Sequence, residues 1–190
     1  MLAKRAISED SIATKRQRLR EIIHQNSLLK GANFVLASGE HSNYYFDMKL
    51  TTQDPEGVSL VGDVLFDYLK QYDFQYIGGL ATGAIAVMVA VCMRSWPDRP
   101  IRGFFVRDEA KNHGTKKLID GFIDDGASVI IVDDVTTKGD SAMKAVRAVR
   151  QRGCQVVRVV SLVDRLEGAK ETFAREGIKF ERIFTTDDFR

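Results

Sequence analysis

The sequence predicts an α/β fold, a mainly parallel sheet flanked by helices, on three observations. Short apolar runs alternate with longer segments of helical period. One run, "SVIIV" at 128–132, is aliphatic without alternation, as a strand covered on both faces must be. Polar segments close several runs: "GGLATG", "RDEAKNHGTKK" and "DDVTTKGDS". Open parallel sheets collect ligands there, beyond the carboxyl ends of their strands.

Taken in order, residues 9–30 read as a helix, with Ile12, Leu19, Ile22, Ile23 and Leu29 near one face and Gly31 as its stop. Residues 33–50 read as extended, with a turn around "SGEHSN". Asp54 and Pro55 suit the cap and first position of a second helix, where Val58, Val61, Leu65 and Leu69 recur at helical spacing. "FQYIGGL" reads as a strand, and "ATGAIAVMVAVCMRSW" as a helix apolar nearly all round and therefore buried. "IRGFFV" is a strand and 108–117 a charged loop without period. After "SVIIV" come a helix over 140–152 stopped by Gly153, a strand "QVVRVVSLV", a helix "EGAKETFAREG" and a last strand "FERIFTT".

The 190 residues fit a single domain, 1–190, and their 44% hydrophobic and 28% charged content is that of an ordinary globular chain. A net charge of +2 gives no reason to expect nucleic acid as a partner, and the basic run Lys15–Arg20 reads as a solvated helix face. Cys92 and Cys154 have neither disulfide nor metal spacing, which suits a reducing compartment. "MLAKRAISED" lacks an apolar signal core and no run is long enough to cross a bilayer, so the expected location is cytoplasmic, away from membranes.

The stretch "VIIVDDVTTKGDSA", 129–142, carries the chemistry. A small-residue loop between strand and helix aims backbone amides at one point, and the helix's first amides add partial positive charge. Thr136, Thr137 and Ser141 add hydroxyl donors to this anion cradle. Asp133 and Asp134 would repel a phosphate, so they must meet another part of the ligand: a vicinal diol, or Mg²⁺ held directly or through water. A ribose bearing a 5′-phosphate satisfies both halves. The same residues also suit an ordinary capped turn. Neither G-x-x-x-x-G-K-[ST] nor G-x-G-x-x-G occurs in the chain.

Aliphatic strand, two acids and a Thr/Gly/Ser loop together resemble the phosphoribosyl pyrophosphate (PRPP) signature of the type I phosphoribosyltransferases. "FVLASGEHSNYYFDMKL", "FFVRDEAKNHGTKKLIDG" and "SLVDRLEGAKETFAREGIKF" resemble, in order, segments of orotate phosphoribosyltransferases. The resemblance implies a small N-terminal helix and hood over about 1–50 on an α/β core over about 51–190. It implies transfer of ribose 5-phosphate from PRPP to orotate, giving orotidine 5′-phosphate and pyrophosphate, a step of pyrimidine synthesis. By resemblance PRPP is met by Asp133, Asp134, Val135, Thr136, Thr137, Lys138, Gly139, Asp140, Ser141 and Thr82. Arg107, Lys111 and His113 meet the pyrophosphate, Tyr44 and Tyr45 lie against the base, and Arg165 grips the orotate carboxylate. Mg²⁺ arrives on PRPP, with at most water-mediated contact to Asp133 or Asp134, and a homodimer completes the site across its interface.

Two positions depart from that pattern. The residue after Arg107 is usually lysine and here is Asp108; the residue before Ser38 is commonly lysine and here is Ala37. These leave open a transferase for another base, or a noncatalytic binder of PRPP or nucleotide.

Overall fold

The computed structural model describes residues 11–35, 41–109 and 117–190. Six strands form the central sheet: β3 (Tyr76–Leu80), β4 (Arg102–Val106), β5 (Ile119–Gly121), β6 (Ser128–Thr136), β7 (Gln155–Asp164) and β8 (Phe180–Thr185). Their order is β5-β4-β3-β6-β7-β8, all parallel except the edge strand β5. The pleat of β6 assigns its side chains by parity. Ile130 and Val132 enter a core shared with α3 (Pro55–Leu69) and α4 (Gly83–Ser95). Val129 and Ile131 enter the opposite core, with α5 (Asp140–Arg150) and Phe173 of α6 (Ala169–Arg175). The continuous aliphatic run follows from this double coverage.

Asp54 caps α3 as its position predicts, its carboxylate accepting from Gly57 N at 2.7 Å, with Pro55 opening the helix. Gly153 follows α5 at φ +72°, a conformation that ends a helix at low cost only for glycine.

The predicted helix over 9–30 is divided. α1 spans Ile12–Ile22, a π-helical turn covers Ile23–Ser27, and the chain enters β1 (Leu28–Val35). β1 pairs antiparallel with β2 (His41–Phe46), setting Leu28 opposite Phe46 and Lys30 opposite Tyr44. Cross-strand pairing with three aromatic partners outweighs the helical preference of "SLLK", whose leucines and lysine are good helix formers, a tertiary effect no local pattern displays. A buried Ser27 Oγ–Thr51 Oγ1 hydrogen bond of 2.7 Å ties the entry of this hairpin to the short helix α2 (Lys49–Thr52). β5, one buried isoleucine in three residues, is too short to show a period. A final 3₁₀ turn, Thr186–Phe189, seats Phe189 against Phe46 and Phe184.

Two further expectations change. α4 is not covered all round: Val89, Met93 and Trp96 at its end are 42%, 73% and 70% exposed. The basic run on α1 is not simply a solvated face. Lys15 is buried and donates to Asp63 Oδ2 at 2.8 Å, and Arg18 grips Glu56 through two hydrogen bonds. Arg16 lies 5.3 Å from the Phe184 ring centroid and donates to the Ile183 carbonyl. These cations dock the first helix.

Asp63 also accepts from Arg94, so one carboxylate joins α1, α3 and α4. Its side chain and that of Lys15 are 11% and 9% exposed, and removing one partner of such a pair leaves a covered charge. Asp63→Ala is expected to lower unfolding stability by about 3 kcal/mol, measured by urea denaturation.

Candidate active site

The strand expected to end at Val132 continues to Thr136. It does so because β7 runs beside it, pairing Asp133 with Ser161, Val135 with Val163 and Thr136 with Asp164. The acids therefore sit on a strand rather than in a loop, and the pleat sends them to opposite faces. Asp133 falls on the α5 side, is 6% exposed, and accepts from Thr136 Oγ1 at 3.2 Å. Asp134 falls on the α4 side, half-buried, and accepts from Val135 N at 2.9 Å. Its carboxylate rests on the start of α4: a Cβ on Gly83 would lie 2.4 Å from Asp134 Oδ1, so a side chain there would push the carboxylate aside. Burial, then mutual repulsion, hold the Asp133 carboxyl well above the usual carboxylate range. Burial likewise raises Asp134.

Beyond Thr136, Thr137 and Lys138 are half-buried and Gly139 turns the chain at φ +90°, where a side chain would meet the Phe173 ring at 2.8 Å. No side chain caps α5, and its first backbone bond is Met143 N to Gly139 O at 2.9 Å. The amides before Met143 are thus the helix's orphan donors, and they face the loop. Asp140 and Ser141, both exposed, occupy that first turn. α4 also begins without a side-chain cap, at exposed Thr82. Two helix N-termini therefore flank the end of β6, one on each side of the sheet, and make a positive rim around the acids.

Lys49 is a site cation that sequence reading did not single out. It pairs with Asp47 at 2.7 Å. That hydrogen bond chiefly raises the Lys49 ammonium above its ordinary value, with smaller contributions from Tyr45 and Asp134. The motif "FDMK" holds the pair with Asp47 but no signal for the nearness to Asp134, which lies far along the chain.

The hairpin separates its two tyrosines. Tyr44 faces Arg165, whose guanidinium carbon lies 4.3 Å from the ring centroid. Tyr45, on the other face, stacks on Phe34 at 5.7 Å. Arg165 is 4% exposed and its backbone N donates to Thr136 O at 2.9 Å, one hydrogen bond from the loop that follows β6. A cleft of about 510 Å³ lined by Tyr44, Phe46 and Phe189 opens beside the hairpin, but no residue of the acid loop lines it.

At the end of β4, Arg107 donates through Nε to Asp120 Oδ2 at 2.7 Å and through Nη2 to the same oxygen. Asp108 accepts from Lys144 of α5. Lys111, His113, Lys116, Ala37 and Ser38 lie outside the described residues. No group of three or more metal-ligating side chains occurs among the described residues.

An aspartate whose folded pKa is raised supports the fold below its unfolded value, and that contribution is lost as pH rises through the folded pKa. Asp133→Asn removes the buried charge while keeping an oxygen for Thr136. It is expected to raise stability at pH 7 by about 1–3 kcal/mol, the gain vanishing toward pH 3, as followed by thermal unfolding across pH.

The phosphoribosyl transferase domain model matches residues 78–186, which span every strand end described above except the hairpin's. The orotate phosphoribosyltransferase of Bradyrhizobium sp. (strain BTAi1) is 43% identical over 184 residues, covering 94% of this chain and 99% of that protein. A crystal structure of the Mycobacterium tuberculosis H37Rv orotate phosphoribosyltransferase superposes with a TM-score of 0.81 at 35% identity, covering 92% of this chain and 98% of that one. Another crystal structure of that enzyme, in complex with PRPP, gives a TM-score of 0.76 at 32% identity over 92% of this chain and 98% of that one. With an acid-ended strand between two uncapped helix starts and relatives matched along nearly its whole length, the chain belongs to the orotate phosphoribosyltransferase family.

Proposed function

We propose that this chain transfers the 5-phosphoribosyl group of PRPP to orotate, releasing pyrophosphate, and that the end of β6 with its loop holds the ribose phosphate. The observation that carries the reading is the pair of uncapped helix starts on either side of Asp133 and Asp134. The amides opening α5, with the Thr137 hydroxyl, receive the 5′-phosphate. Half-buried Asp134 accepts from the ribose diol, and buried Asp133 orients Thr136. Orotate lies against Arg165, which takes its carboxylate, and Tyr44, whose ring braces the guanidinium, is the hairpin tyrosine on that face.

The bond from C1 to the pyrophosphate oxygen breaks with its electron pair leaving on that oxygen. The bond from C1 to a ring nitrogen of orotate forms, and that nitrogen gives up its proton, which the released pyrophosphate takes up. The transition state is oxocarbenium-like, so the protein's work is to neutralise the leaving group and exclude water. Arg107 and Lys138 are cations of described segments suited to the first task, and backbone groups around Thr82 line the same rim. Two adjacent carboxylates with raised pKa values, and no third ligand nearby among the described residues, fit Mg²⁺ carried by the substrate rather than a protein-built site. When bound, that ion would screen the charges of the leaving group.

The proposal includes a homodimer. Val89, Met93 and Trp96 recur along the outer side of α4 and expose large apolar surface, the mark of an association face. It also includes a cytoplasmic location, in keeping with the free Cys92 and Cys154. No helix among the described residues is long and apolar enough to cross a membrane.

Pyrophosphate release, measured with orotate, uracil and purine bases, is expected only with orotate. Arg165→Ala should lower kcat/KM for orotate by about 100-fold, mainly through KM, while PRPP affinity stays within about threefold. Release with another base alone would overturn the assignment. Met93→Glu is expected to shift the sedimentation coefficient from dimer to monomer; an unmoved dimer would place the interface elsewhere.

A further inference from the structure

Arg165 cannot choose its own orientation, since a guanidinium on three methylenes has many rotamers and a site for a planar anion needs one. The buried surroundings supply three restraints. Nε donates to Glu167 Oε1 at 2.9 Å, Nη2 donates to Ser42 Oγ at 3.1 Å, and the Tyr44 ring lies 4.3 Å from Cζ. Among the described residues no hydrogen bond reaches Nη1, so one edge of the guanidinium remains for a ligand.

Glu167 is brought there at a cost. Between the two residues Leu166 adopts φ +60°, a left-handed conformation unfavourable for a leucine, and its amide is tied to Asp164 Oδ1 at 2.9 Å. The returning Glu167 then leaves its Oε2 buried with no hydrogen-bond partner. A strained turn and an unsatisfied carboxylate oxygen side by side are not what stability alone selects.

Resting on the assignment of Arg165 to the base, we propose that Glu167 is a positioning residue for base recognition: its Oε1 fixes the Arg165 guanidinium with the Nη1 edge turned to the base. Ser42 and Tyr44 finish the clamp from the hairpin, so recognition of the base requires the hairpin to be seated on the end of β7. Glu167 touches no substrate and acts through Arg165 alone.

The test is steady-state kinetics of Glu167→Ala and Glu167→Gln with orotate, alongside PRPP affinity by calorimetry. Alanine removes the acceptor and is expected to raise KM for orotate about 30-fold, with kcat and PRPP affinity each within about threefold. Glutamine keeps an acceptor oxygen and should recover most of that loss. Should Glu167→Ala fail to fold, Glu167→Asp, which withdraws the oxygen by one methylene, carries the same expectation. A merely structural role would move PRPP affinity together with KM, and that result overturns the proposal, as does an unchanged KM or equal losses for alanine and glutamine. Wild-type protein that releases no pyrophosphate with orotate overturns instead the functional reading beneath it.

Discussion

Holding two adjacent carboxylates at the end of a buried strand is the constraint around which this molecule is arranged. Each carboxylate disfavours the fold when ionised, because water is withdrawn from both and each repels the other. The sheet limits that penalty in two ways. The pleat of β6 places Asp133 toward α5 and Asp134 toward α4, so the carboxylates do not share a face. The parallel crossovers also deliver a helix N-terminus to each of those faces, and uncapped amides offset negative charge. An antiparallel neighbour would have brought a hairpin to that edge instead.

The same arrangement explains why small residues gather at the rim. Gly83 makes room for the Asp134 carboxylate and Gly139 turns the chain against Phe173. Both let backbone amides, rather than side chains, form the surface a ligand meets. Fixed amides on rigid elements need no reordering when an anion arrives, whereas long cationic side chains lose rotamer freedom. Arg165 is the exception, and the structure surrounds it: a strained turn on one side, the hairpin on the other.

Much of this was legible in the sequence. The aliphatic run of β6, the Asp54–Pro55 start of α3 and the strand-to-helix alternation report local demands that the residues themselves satisfy. The acid loop was legible as a strand-to-helix junction because two adjacent acids and small residues follow directly on the aliphatic run. What escaped depends on contacts distant in the chain. "SLLK" becomes strand only opposite "NYYF", β6 lengthens only beside β7, and Lys15 is buried only because Asp63 waits on α3. Lys49 and Glu167 carry no local sign of their roles. Tyr44 and Tyr45 were legible as aromatic partners of a site, but which one meets Arg165 follows from hairpin register, not from composition.

The acidic residue at 108 takes on a different meaning in this setting. Read along the chain, Asp108 reverses the sign that the family resemblance implies for its position. In space it accepts from Lys144 of α5, the helix that follows the acid loop. Both side chains are well exposed, so the pair adds little to stability, but it places a compensating charge directly beside the reversed one. A ligand at the strand ends therefore meets a near-neutral pair at that point rather than a bare carboxylate. Lys49 near the acids is likewise paired, with Asp47 at 2.7 Å, so balanced pairs rather than bare charges border the strand end. Electrostatic stabilisation of a departing anion depends on the summed field at its oxygens, not on which chain position supplies each charge. The carboxylate at 108 is thus balanced locally by Lys144, and the geometry of β6, α4 and α5 keeps two uncapped helix starts beside the acids.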